Sequence, residues 1–203
     1  GENGAGKTTL MKCILSLIRY DSGSVTLDGA AITRANIGRF SFATCEHSFF
    51  PALTAKAHRE FYEEHFETFL GRRFEGLMDF FQLPMDKPIR SFSTGQKNQF
   101  EVIMALSQGA DYILMDEPFA SLDFITRGEL QTELLDIQKE LQKTILLVTH
   151  QLDEALLLAQ RIVVLHADSS VRVWELELPY PRDLTSPELT ALREEITAEC
   201  RKD

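Results

Sequence analysis

"GENGAGKTT" (residues 1–9), and the run that follows it, decide how this chain is read. Gly1 and Gly6 stand five positions apart with Lys7 and Thr8 directly after, the spacing of a loop whose backbone N–H groups curl around a phosphate. Glycine keeps side chains out of the anion's way, and a helix starting near Lys7 turns its positive end towards it. "LMKCILSLI" (10–18) has apolar residues at helical spacing, so a helix follows the loop directly. Gly1, Glu2, Asn3, Gly4, Ala5, Gly6, Lys7, Thr8 and Thr9 are therefore expected to hold nucleotide phosphates. Lys7 would act as a point charge on the outer phosphates, and the Thr8 hydroxyl would ligate Mg²⁺. Such a loop normally leaves a strand, and none stands before Gly1; the sequence reads as a fragment that lost its first strands.

Downstream, "YILMDE" (112–117), "TILLVTH" (144–150) and "RIVVL" (161–165) are short apolar runs separated by helical stretches over about 126–141 and 151–160. Runs without alternation are what buried parallel strands produce, so the architecture is expected to be α/β with a covered sheet. "GSVTLDG" (23–29) reads as a short strand closed by an Asp-Gly turn. From 47 to 110 the pattern turns helical and rich in aromatics, an inserted helical subdomain whose phenylalanines are expected mostly in its core. Residues 1–46 with 111–168 form the expected core, and 169–203 an extension of one strand and one helix started by Ser186 and Pro187.

Asp116 and Glu117 end a buried strand, at the sheet edge where ligands of open α/β sheets bind. Asp116 would hold Mg²⁺ through its water shell, and Glu117 would orient the attacking water. Composition bounds the rest. The 203 residues suit one soluble domain with an insertion, and a net charge of −10 repels nucleic acid and anionic lipid alike. Three widely spaced cysteines favour reduced thiols over disulfides or zinc, and no apolar run is long enough to span a membrane.

"FSTGQ" (92–96), lying before a helix and about 20 residues upstream of "MDEP", resembles the signature motif of the ABC-type ATPases, with Thr94 in place of a glycine. "ASLD" resembles their D-loop, with Asp123 as its aspartate, and "LVTHQLDEA" their switch region, with His150 as its histidine. The resemblance covers roughly residues 1–166 and implies a P-loop nucleoside triphosphatase core with a mainly parallel sheet and an inserted α-helical subdomain. It implies ATP and Mg²⁺ as ligands, with Glu117 and His150 setting up attack on the γ-phosphate. It further implies a head-to-tail dimer in which Ser93, Thr94, Gly95 and Gln96 reach the ATP of the other copy. A Ser-rich helix cap unrelated to nucleotide is the other reading of "FSTGQ".

By the same resemblance the chain would be the ATPase subunit of an exporter-like transporter, peripheral on the inner face of the cell membrane. Its partners would be a second ATP-binding subunit and separate transmembrane permease subunits, without nucleic acid. The family's metal-watching glutamine is replaced by Cys45 or Glu46, of which Glu46 is the better Mg²⁺ ligand. Phe49 and Phe50, ahead of the helices, read either as core or as a socket for a partner's short helix. The alternatives are a soluble ABC-type ATPase not linked to a membrane and a nucleotide-binding scaffold without turnover.

Overall fold

The structure is a computed structural model and describes residues 6–44, 46–166, 168 and 170–201. In chain order it runs α1 (Lys7–Ile14), β1 (Thr26–Leu27), β2 (Ala30–Ala31), β3 (Phe40–Thr44), α2 (Ala55–His65), α3 (Gly71–Phe80) and α4 (Thr94–Ser107). There follow β4 (Tyr112–Asp116), α5 (Phe124–Leu141), β5 (Thr144–Val148), α6 (Leu152–Leu158), β6 (Arg161–Leu165), β7 (Val171–Glu175) and α7 (Pro187–Cys200). The chain divides into two compact units, residues 20–147 and residues 1–19 with 148–203.

In the unit of residues 20–147, β3 and β4 run parallel, with Phe40 opposite Tyr112 and Thr44 opposite Asp116, and β5 lies on the other side of β4. The middle strand is buried, as its unbroken apolar run requires. The 144–150 run departs from that expectation. β5 runs through exposed and half-buried positions, with Leu146 40% exposed, whereas β3 and β4 are covered by α4. The expected Asp-Gly turn forms: Asp28 and Gly29 both have positive φ, 52° and 80°, and β1 folds back on β2.

α4 is buried on every side from Asn98 to Ser107, since it packs against α3 on one flank and against β3 and β4 on the other. Its exit is tightly fitted. Gly109 turns at φ 74°, and a Cβ there would run into the Thr68 carbonyl. The aromatics of the insertion are divided, against the expectation that most are core. Phe69 and Phe74 are buried, whereas Phe50, Phe61, Phe66 and Phe80 are exposed. Two of these stack along the outside of α2, Phe61 on His65 and Phe66 on Tyr62, so helical spacing organised them without burying them.

In the other unit, β6 and β7 pair antiparallel, and Ile162 and Val164 face a core shared with Leu156, Leu189 and Ile196 of α6 and α7. Ser186 caps α7 and Pro187 occupies its first turn, as expected. Arg182, which the sequence reading did not single out, donates to the carbonyls of Leu156 (2.8 Å) and Ala159 (2.6 Å) at the end of α6 and lies over the Tyr180 ring. Among the described residues no helix is long and apolar enough to cross a membrane.

Candidate nucleotide site

Of the expected phosphate loop, Gly1 to Ala5 lie outside the described residues, as does Cys45. Gly6 stands at the N-cap of α1 with φ 85°, a left-handed conformation that glycine adopts without steric cost. Its carbonyl takes the Leu10 N–H at 2.8 Å and so starts the helix whose first turn is Lys7, Thr8 and Thr9. Lys7 and Thr8 are half-buried and Thr9 is exposed.

The parallel register brings the carboxyl ends of β3 and β4 side by side, so the segments after Thr44 and after Asp116 leave the same sheet edge. Asp116 is buried and Glu117 half-buried. Glu117 has φ 51°, a region in which an ordinary L-residue is strained by about 1–2 kcal/mol. Beside it, Thr44, Glu117 and Pro118 line a cavity of about 10 Å³ together with Asn98 and Glu101 of α4. Glu46 is exposed in the turn after β3, its N–H donating to Thr44 Oγ1 at 3.2 Å.

Glu101 is the residue that sequence reasoning missed here. Its buried carboxylate accepts the Ser48 hydroxyl at 2.6 Å and the Ser48 N–H at 3.1 and 3.2 Å to its two oxygens. Burial pushes its carboxyl above the ordinary carboxylate range, against the opposing pull of these bonds. The signal was a lone acid inside the apolar run "QFEVIMAL".

Ser93 is the N-cap of α4. Its Oγ accepts from Gln96 N–H at 3.2 Å, and Gln96 Oε1 accepts from Ser93 N–H at 3.0 Å, a reciprocal capping box. Both side chains therefore have a structural task within the chain, while the Ser93 O–H keeps its proton for donation. Gly95 is different. A Cβ there would sit 3.4 Å from the Ser121 carbonyl, an ordinary contact, so the chain's own packing does not require glycine. The start of α4 thus lies beside Ser121 and Leu122, just before Asp123. Asp123 caps α5, accepting from Ile125 N–H (3.0 Å) and Thr126 N–H (3.1 Å), and bonds to Thr126 and Ile125 hold its carboxyl below the ordinary range. The next two residues, Phe124 and Ile125, are 89% and 69% exposed.

His150 is exposed in the bend after β5. The bend is fixed by Thr149, whose Oγ1 donates to Glu154 Oε2 at 2.6 Å and accepts from Gln151 N–H at 3.0 Å. Glu154 is buried on α6 and was not singled out from the sequence. The structure separates Phe49 from Phe50. Phe49 packs edge-on against Phe100, and Phe50 is 51% exposed. Buried His58 sets this pair: its Nδ1–H donates to the Thr54 carbonyl at 2.8 Å, and Nε2 accepts the Phe50 N–H at 3.0 Å. Burial holds its pKa below the ordinary value.

A family model described as ABC transporter matches residues 1–120. The aliphatic sulfonates import ATP-binding protein of Bacillus subtilis is 31% identical over 206 residues, covering the whole chain and 80% of that protein. The glycine betaine/carnitine/choline transport ATP-binding protein of the same organism is 37% identical over 186 residues, which are 85% of this chain and 48% of that longer protein. Among solved structures, an ATP-binding subunit of an ABC transporter superposes with a TM-score of 0.77 at 24% identity, covering 87% of this chain and 77% of the other. A bacterial ABC transporter cassette solved as a dimer gives 0.75 at 22%, covering 87% and 83%. These last two likenesses concern the fold.

Proposed function

The chain belongs to the ABC transporter ATP-binding family, whose members are ATPases, and from that premise we propose that it hydrolyses ATP to drive transport through separate membrane subunits. The observation that carries hydrolysis is the Asp116–Glu117 turn. Two carboxylates leave the edge of a parallel strand pair, and the second is held in a strained left-handed conformation. Strain of this kind persists where the surroundings over-determine a side chain's direction, which suits a residue that must aim an attacking water.

In this reading Gly1 to Thr9 cradle the phosphates, with Lys7 on the outer ones. Thr8 and Asp116 offer hydroxyl and carboxylate oxygens, a donor set that suits Mg²⁺, and Glu46 is a further oxygen donor where the resemblance implies a glutamine. The ion would neutralise charge on the phosphate oxygens. Glu117 orients the water, and His150 hydrogen-bonds the γ-phosphate or that water. A second ATP-binding subunit would bring Ser93, Thr94, Gly95 and Gln96 over the nucleotide. The glycine that internal packing does not need at 95 supports an approach from outside the chain. Exposed Phe124 and Ile125, flanking the Asp123 loop, support an apolar surface there for that subunit to cover.

Phe50 is the contact offered to a membrane subunit, which would hold the chain as a peripheral component on the inner face. We take the direction as import, which the names of the relatives favour over the export direction that the sequence resemblance implied. Those relatives serve aliphatic sulfonates, which are anions, and choline, a cation, so cargo choice is assigned to the other subunits. A scaffold without turnover is the second reading, favoured by the missing glutamine at 45–46.

Glu117→Gln separates the two. A working ATPase should lose turnover by at least about a hundredfold and accumulate an ATP-bound dimer, measured by phosphate release and by size. Unchanged phosphate release in that variant would reject the role of Glu117.

A further inference from the structure

The buried carboxylate of Glu101 stands where three parts of the candidate site meet. It lies two turns into α4, the helix that begins at Ser93. It accepts three bonds from Ser48, two residues after Glu46. It also lines, with Glu117, a cavity of about 10 Å³, room for roughly one water molecule. A carboxylate in an otherwise apolar helix is costly to bury unless bonded, so these bonds are what keep it there.

We propose that Glu101 is a positioning residue that ties Ser48, two residues after Glu46, and the Glu117 turn to the signature helix, so that nucleotide engaged at the start of α4 is felt at both. This rests on the reading of Glu117 and the signature given above, and deepens it by naming the link between them. The geometry makes the link short. α4 is a rigid rod from Ser93 to Glu101, the carboxylate ties Ser48 to that rod, and Glu101, Thr44 and Glu117 line one cavity. A shift of α4 by even a fraction of an ångström must move Ser48 with it or break a 2.6 Å charge-assisted bond. Closing the signature end would then reset the direction of Glu117 through Glu101.

The test uses the purified protein with Glu101→Ala, Ser48→Ala and Ser48→Thr, read by amide hydrogen exchange and by steady-state ATP hydrolysis. Ser48 is exposed, so its variants fold even if Glu101→Ala does not. Glu101→Ala should speed exchange at Ser48 by about tenfold or more and lower kcat about tenfold with KM for ATP little changed. Ser48→Ala should do the same on a smaller scale, about threefold, and Ser48→Thr should restore kcat by returning the hydroxyl. A residue that only supports the fold would lower the melting temperature and leave kcat at 25 °C intact, and that result overturns the proposal. So does unchanged exchange in both Ser48→Ala and Glu101→Ala. If instead Glu117→Gln retains turnover, the assignment of Glu117 falls on its own account, and the exchange arm still decides for or against the lock.

Discussion

Two buried glutamates perform the same mechanical task in different units. Glu101, on α4, holds Ser48 across 53 positions of sequence, and Glu154, on α6, holds Thr149 across five. Both bonds are 2.6 Å, and both pin a segment that carries an expected site residue, Glu46 in one case and His150 in the other. The difference is one of reach. The local clamp forms within one bend and one helix turn, so it forms wherever "THQLDE" folds, whereas the distant one exists only once β3 and α4 have packed. Local clamps protect a conformation; distant ones join elements.

The largest effect should come from breaking the distant clamp. Glu101→Ala removes the acceptor of the Ser48 N–H and hydroxyl and leaves a gap in the buried stretch of α4, and is expected to cost about 2–4 kcal/mol in urea unfolding. The double variant Glu101→Leu with Ser48→Ala removes donor hydroxyl and acceptor together and should recover part of that loss, since an apolar pair needs no partner. A double variant as unstable as the sum of its singles would show that the two residues do not act as a pair.

The same contrast explains what could be read from the sequence. The helix start after Gly6, Asp116 with Glu117, the "FSTGQ" helix start and the "LVTH" bend are local patterns whose geometry is written within a dozen residues, and among the described residues α1, β4, α4 and β5 stand where those patterns place them. Glu101 was overlooked because its partner lies in another element. The surface aromatics on α2 misled for a related reason. Helical spacing fixes which residues share a stripe, but only packing decides whether a stripe is covered, and Phe61 and Phe66 found each other's neighbours instead. β5 was read as covered from an apolar run, and such a run does not reveal which strands a helix will cover, as α4 covers β3 and β4.

A smaller loss is expected from the local clamp. Thr149→Val keeps the shape and deletes a hydroxyl that both donates to Glu154 and accepts from Gln151, and should cost about 1–2 kcal/mol. Because the bend carries His150, ATP turnover should fall more than binding does. Equal losses in kcat/KM and in stability at Thr149 and at Glu101 would erase the distinction between the two clamps.

Acid offers a third probe, aimed at the neighbourhood of the distant clamp. His58 is held below its ordinary pKa of 6.5 by burial, so the unfolded chain takes up the proton first. The stability that neutral His58 supports is complete above pH 6.5 and is lost as the pH falls from there through the lower folded value. Protonation also turns Nε2 from acceptor to donor against the Phe50 N–H, which should release Phe50. His58→Phe should flatten this part of the pH profile of the melting temperature, and a profile identical to the wild type would assign the acid loss elsewhere.

The smallest change in stability is the most discriminating for the signature. Ser93 and Gln96 are accounted for by the capping box alone, and the same two residues are assigned to ATP in a partner subunit. Gln96→Glu separates these tasks. Glutamate serves the capping box as well as glutamine does, and a negative charge in the first turn of α4 is favoured by the helix dipole, so stability should stay within about 0.5 kcal/mol. Across a subunit interface that charge would face a γ-phosphate, and ATP-dependent dimerisation should weaken by about tenfold or more, an effect reduced by salt. Stability and dimerisation unchanged together would mean that Gln96 caps a helix and does nothing else. The contact to the partner's nucleotide would then fall to Ser93 and Gly95, the hydroxyl that keeps its proton and the glycine that the chain's own packing does not require.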